Sequence, residues 1–113
     1  MKLPNLDQAQ VPREKIVGYL LSFTHPDGRA KAEFFSRYGY TTGNWRDLAL
    51  ALLTHAKDHE VTRTEASPFG TRYVVEGIIR TSDGRNPQLR AVWFIEAGES
   101  APRLVTAYPM SRS

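Results

Sequence analysis

Apolar positions along this chain change their period about halfway. In the first half they recur every three to four residues, as on one face of a helix. Ile16, Val17, Leu20 and Leu21 follow Pro12, which suits a first helical turn because its missing N–H has no partner there. The spacing predicts a first helix over 12–21. His25-Pro26-Asp27-Gly28 interrupts it, since Pro26 disfavours a helical His25 and Asp27-Gly28 is a turn pair. A second helix is expected at once, with Ala30, Phe34 and Tyr38 four apart, Phe35 beside them, and Gly39 as its stop. Asn44, with Asp47 three residues on, reads as the cap of a third helix. Its buried stripe would be Trp45, Leu48, Ala49, Leu52, Leu53 and Ala56, and it would end near His59.

In the second half the pattern becomes that of strands. Residues 61–66 alternate charged and uncharged side chains like an exposed edge strand, and Ser67-Pro68 with Gly70 turn the chain. Tyr73, Val74, Val75, Ile78 and Ile79 form a β-branched and aromatic run that stops at Asp83-Gly84. Pro87 marks the re-entry, and Val92, Trp93, Phe94 and Ile95 then stand consecutively, as in a central strand. After a turn over 98–102, residues 103–108 alternate, with Leu104, Thr106 and Tyr108 on one face and Arg103, Val105 and Ala107 on the other. Residues 1–10 read as an irregular arm anchored by Leu3 and Leu6. The expected fold is α+β: three N-terminal helices packed on one face of a C-terminal, mainly antiparallel four-stranded sheet, in a single domain over 1–113.

Composition adds exclusions more than assignments. A 41% hydrophobic and 24% charged chain of 113 residues is globular in character, long enough for one core. The absence of cysteine rules out a disulfide framework and thiolate chemistry. No apolar leader or membrane-length run is visible, so a cytoplasmic location without membrane contact is expected. The net charge of +3 and pI near 9.4 are mildly basic, and most of the basic residues are arginine. Guanidinium groups suit phosphate and carboxylate recognition, although GC-rich codon usage gives the same bias.

Three histidines are candidates for metal or acid–base work. His55 and His59 have the i, i+4 spacing of a helical zinc pair, but lysine stands where a zinc hydrolase needs its glutamate, and no third ligand is indicated. A structural helix end explains them better, and no metal or other cofactor is expected. His25 lies in a loop before a helix start with Arg29 and Lys31 close by, so backbone N–H groups, the helix dipole and two cations can meet an anion there. A histidine beside phosphate is a usual general acid or base; the alternative is a turn-capping His25 and a solvated Lys31. Thr106 and Tyr108 share a face next to Arg90 and Trp93. On an open sheet face Thr106 and Arg90 can supply a hydroxyl and a guanidinium to a phosphate; under helices Thr106 is a core hydroxyl. Trp93 and Phe94 fit either a base-stacking platform or the core. The glycines form no dinucleotide-binding pattern.

The segments LPN at the start, HPDGRAKAEFF in the middle and RAVWFIEAGESAPRLVTAYP at the end resemble an uncharacterised bacterial domain family across nearly the whole chain. Some members of that family are fused to secreted or polymorphic toxin-like proteins, and others lie beside a small gene as in toxin–antitoxin pairs. The order of helices followed by an antiparallel sheet resembles, more distantly, the metal-independent ribonucleases that include barnase, colicin-type tRNases and RelE-like toxins. That resemblance implies His25, Lys31, Arg90 and Thr106 as catalytic positions; Arg29, Trp93 and Tyr108, read from the residues themselves, are expected toward substrate. It also implies an RNA substrate and a small acidic antitoxin or immunity partner. A strongly basic face, used by many such toxins to hold RNA, is not evident here.

Two readings of function follow. One is a small ribonuclease toxin in which Arg29, Lys31 and Arg90 hold phosphate and His25 takes the proton of the attacking 2′-hydroxyl. The other is a non-enzymatic interaction module whose exposed edge strand pairs with a partner or with a second copy in a homodimer, with Arg63 and Glu65 setting register.

Overall fold

A computed structural model describes residues 1–110. The helical half begins with a short 3-10 turn, Leu6–Gln8, then helix α1, Arg13–Lys15, which continues directly into a π-helical turn, Ile16–Leu20. Ile16 and Leu20 are buried from that turn, and Leu3 is buried from the arm. Thus the predicted first helix exists, but most of it is wound as π rather than α. Helix α2 is Arg29–Ser36 and helix α3 is Trp45–Asp58. In α2 the buried residues are Ala32 and Phe35, while Ala30 is exposed, so the core stripe lies one step round from the predicted one.

The start of α3 also differs from expectation. Asn44 turns backward, accepting at Oδ1 from the Thr41 N–H at 2.6 Å and donating to the Gly39 carbonyl at 2.9 Å. It closes the 3-10 turn Thr42–Asn44 that leads into α3 instead of pairing with Asp47 in a forward box. Downstream the stripe holds, with Leu48, Leu52 and Ala56 fully buried and Trp45, Ala49 and Leu53 packed at the margin.

The four strands are β1, Val61–Ser67; β2, Gly70–Ile78; β3, Gln88–Glu96; and β4, Arg103–Pro109. They form one antiparallel meander in the order β1-β2-β3-β4, so β3 is central and β1 is an edge strand, as expected. From Thr62 to Ser67 every residue of β1 is exposed. The arm lies against the core through Leu3 and Leu6, as expected, but it is not wholly irregular: Gln10 bridges Arg103 in parallel, donating to the Pro102 carbonyl at 2.8 Å and accepting from the Leu104 N–H at 3.0 Å. A piece of the N-terminal segment therefore extends the β4 edge before the helices begin.

The core lies between α3 and one face of the sheet, where Val75, Leu89, Ala91, Trp93, Leu104 and Ala107 are buried among helical side chains. A bulge in β4 decides which residues join them. Val92 pairs with Thr106 but Trp93 with Leu104, leaving Val105 as the extra residue. Leu104 therefore faces the core with Ala107, not the same side as Thr106 and Tyr108. A strict period of two over 103–108 hid this slip. Opposite the core is the more open face of the sheet, carrying Glu76, Arg90 and Tyr108 in one cross-strand row and Val74, Val92 and Thr106 in the next, with Val74 and Val92 buried among their neighbours.

Candidate active site

At the β4 edge the helical half reaches round toward the open face. The Tyr19 hydroxyl, from the π-helical turn, lies 3.0 Å from Thr106 Oγ1. The same ring meets His25 edge to face at 5.0 Å between centres. Lys15 Nζ and Lys31 Nζ each stand 5.3 Å from its centre. Lys31 Nζ is also 5.9 Å from the Tyr108 ring, over which the Arg90 guanidinium sits at 5.6 Å. Arg90 in turn donates from Nε to Glu76 Oε2 at 2.6 Å. A continuous chain of contacts thus runs from His25 through Tyr19 to Thr106, and through Lys31 and Tyr108 to Arg90 and Glu76.

Close packing holds the His25 loop in place. A Cβ on Gly28 would collide with the Tyr19 carbonyl, so only glycine lets the loop approach the π-helical turn this closely. His25 Nδ1 accepts from the Asp27 and Gly28 N–H groups at 3.0 and 3.1 Å, which puts the ring proton on Nε2. The Arg29 N–H is taken by the His25 carbonyl at 3.1 Å. These backbone donors are therefore not free for an anion, contrary to the sequence expectation; the loop presents the His25 Nε2–H instead. Lys31 is not merely solvated, since it donates to the Asp27 carbonyl at 3.0 Å while lying over the two tyrosine rings.

Two cavities flank this chain of contacts. One, of about 480 Å³, is lined by Glu14, Lys15, Tyr19, His25, Asp27, Val105 and Thr106. The other, of about 350 Å³, lies on the open sheet face: Arg63, Arg72, Glu76, Arg90 and Tyr108 rise round a floor of Val74 and Val92. Glu65 lines the second as well, so its three arginines meet two carboxylates, with Arg63 bridged to Glu65 and Arg90 to Glu76. The Arg90 hydrogen bond, then one from Thr62, holds the Glu76 carboxyl below its ordinary range, so it is ionised at neutral pH.

Of the residues singled out from sequence, His25 and Thr106 line the first cavity and Arg90 and Tyr108 the second, with Lys31 over the rings of Tyr19 and Tyr108 between them. The others do not join them. Arg29 is largely exposed and bridges to Glu33 along its own helix at 3.4 Å. Trp93 has no exposed surface and sits in the core, so it cannot stack on a ligand; its position in the most apolar run reflects burial. Glu76 and Tyr19 were missed. Glu76 is the only acid in the run of β2, a signal that gains meaning only once the register places it opposite Arg90. Tyr19 lay outside the apolar stripe of the first helix.

His55 and His59 serve the fold. His55 is 1% exposed, its Nε2 lying 3.1 Å from the Gly77 carbonyl and 3.2 Å from that of Leu89. His59 Nε2 is 2.7 Å from the Ile78 carbonyl. Gly77, at φ 155°, leaves room for the His59 ring, which a Cβ would strike. Among the described residues no group of three or more histidine, cysteine or acidic side chains is placed to hold a metal ion. No helix among them is long and apolar enough to cross a membrane.

The fold is similar to that of a solved chain from a contact-dependent growth inhibition toxin - immunity protein complex of Klebsiella pneumoniae 342. The TM-score is 0.72, with 13% identity, over 95% of this chain and 97% of that one. No curated protein matches the sequence. A family model described as "Domain of unknown function (DUF6883)" matches residues 2–111, and the chain belongs to that family.

Proposed function

We propose that the domain is a small toxin that cleaves RNA without a metal, at the junction of the open sheet face and the His25 loop. The observation that carries this reading is the contact chain from His25 to Glu76, in which Arg90 and Lys31 stand over Tyr108 beside an ionised carboxylate. Ribose phosphodiester cleavage needs those parts. A base takes the proton of the 2′-hydroxyl as its oxygen bonds to phosphorus, cations meet the charge on the phosphorane, and an acid protonates the departing 5′-oxygen. The products are a 2′,3′-cyclic phosphate and a 5′-hydroxyl.

Glu76 is the base in this scheme. Its carboxylate is anionic, and when the substrate phosphate draws Arg90 toward itself the proton affinity of Glu76 rises. Lys31 supplies the proton to the 5′-oxygen. His25 carries its proton on Nε2 because Nδ1 is occupied, so it donates a hydrogen bond to a phosphoryl oxygen and does not abstract the 2′-hydroxyl proton. Thr106, oriented by Tyr19, adds a second neutral donor. The likeness in fold to a chain of a toxin - immunity protein complex supports a toxin setting, and with it a small acidic partner that covers the exposed arginines.

The test is incubation of the purified domain with RNA in the presence of a chelator, with end groups analysed, alongside expression in a bacterial host. Cyclic phosphate ends and growth arrest are expected. Intact RNA at high dose, with no arrest, defeats the reading. A second reading then gains ground from β1, whose exposed edge suits pairing with a strand of a partner or of a second copy.

A further inference from the structure

Beyond the row of Glu76, Arg90 and Tyr108, and past that of Val74, Val92 and Thr106, the open face carries a third row. Arg72 on β2 pairs in register with Phe94 on β3, and Phe94 pairs with Arg103 on β4. The β4 bulge is what returns Arg103 to this side, because it shifts the register between Thr106 and Leu104. Phe94 is half-buried, the tip of its ring packed close to Gly70, whereas its neighbour Trp93 is sealed in the core. Both arginines are exposed, and among the described residues neither takes part in an ion pair. Glu65, directly across from Arg72 on β1, is engaged by Arg63 at 2.9 Å.

A half-buried ring flanked in register by two exposed guanidinium groups without ion-pair partners is an arrangement that can hold single-stranded nucleic acid. The ring stacks on a base of any identity, and each guanidinium meets a phosphate. The row lies four residues along the strands from Arg90, about 13 Å, so a short strand can span both. Glu96 and Glu99 line the cavity next to Phe94 and Arg103, and their charge bounds the path at that end. We infer that Arg72, Phe94 and Arg103 form a stacking subsite for a base of a single-stranded RNA whose scissile phosphate lies over Arg90. The inference rests on the ribonuclease reading for the position of the cleaved bond, but the subsite binds whether or not cleavage occurs.

The experiment measures binding of an uncleavable 2′-O-methyl octanucleotide by fluorescence anisotropy across a salt series, with cleavage of the corresponding RNA followed separately. Phe94→Leu keeps apolar bulk and removes the aromatic face; it is expected to weaken binding on the order of 10-fold, while Phe94→Tyr restores it. Arg72→Ala and Arg103→Ala should each lower the salt slope by about 0.7. Arg46→Ala, on α3, controls for net charge and should leave the slope unchanged. If wild type binds and cleaves but Phe94→Leu binds equally well, the subsite is wrong and the ribonuclease reading stands. If wild type binds, Phe94→Leu binds weakly and no RNA is cut, the subsite stands and the enzyme reading fails. If wild type does not bind the octanucleotide at all, the subsite is overturned.

Discussion

Trp93 and Phe94 are neighbours in β3 with opposite surroundings, and the two faces of the sheet differ as those two rings do. On the Trp93 side, polar groups turn inward, away from solvent: His55 and His59 place their Nε2 atoms on strand carbonyls, while His55 Nδ1 and Trp93 Nε1 are buried with no hydrogen-bond partner among the described residues. On the Phe94 side, polar groups are arranged but not exhausted. Arg72 and Arg103 have no acid partner among the described residues, and His25 keeps a free Nε2–H beside a cavity. Access to solvent, more than residue type, therefore separates groups that belong to the fold from groups available to a ligand.

The largest expected effect falls on the covered side. Trp93→Ala should destabilise the domain by about 3–5 kcal/mol, through lost transfer energy and the cavity left behind, as read in chemical denaturation. A cost under about 1 kcal/mol would mean that the covered face is not a packed core. On the open side, Arg90→Ala and Lys31→Ala should each lower RNA cleavage by about 10²-fold with little change in melting temperature. Equal activity with unchanged melting would show that the contact chain is not the site, and a collapse in melting would show that the open face is structural after all.

A smaller effect comes from pH. Burial, chiefly, lowers the pKa of His55 below its ordinary 6.5. Below that value the unfolded chain binds a proton that the folded chain does not. Stability is therefore full above about pH 6.5 and falls as pH drops toward the lowered folded value. His55→Gln, which keeps a donor toward the two carbonyls but does not titrate, should flatten that slope in melts between pH 7 and pH 5. An unchanged slope would assign the pH dependence elsewhere. Smallest of all, a chelator should alter neither melting nor cleavage; a clear loss of either would show that the two helical histidines hold a metal.

Much of the fold is legible in the sequence because burial imposes period. The stripe of α3 at Leu48, Leu52 and Ala56, the apolar run that makes β3 central, and the charged alternation of the exposed β1 each follow from how a helix or strand presents side chains to one environment. Caps and bulges are less legible. Asn44 could cap forward or backward, and one extra residue in β4 moved Leu104 to the other face from Thr106, because local hydrogen bonding can favour either arrangement at small cost.

Sequence by itself determined residue types: a histidine before a helix, a lysine in its first turn, an arginine, a threonine and a tyrosine in the strands. Whether they meet was decided by tertiary structure alone. The strand register set Glu76 against Arg90, the π-helical turn carried Tyr19 round the β4 edge to Thr106, and the Gly28 contact held His25 beside it. Those positions are separated by up to 87 residues, and no periodicity spans such a distance. Side chains far apart in the chain are brought together by packing, whose choice among registers depends on every face being satisfied at once.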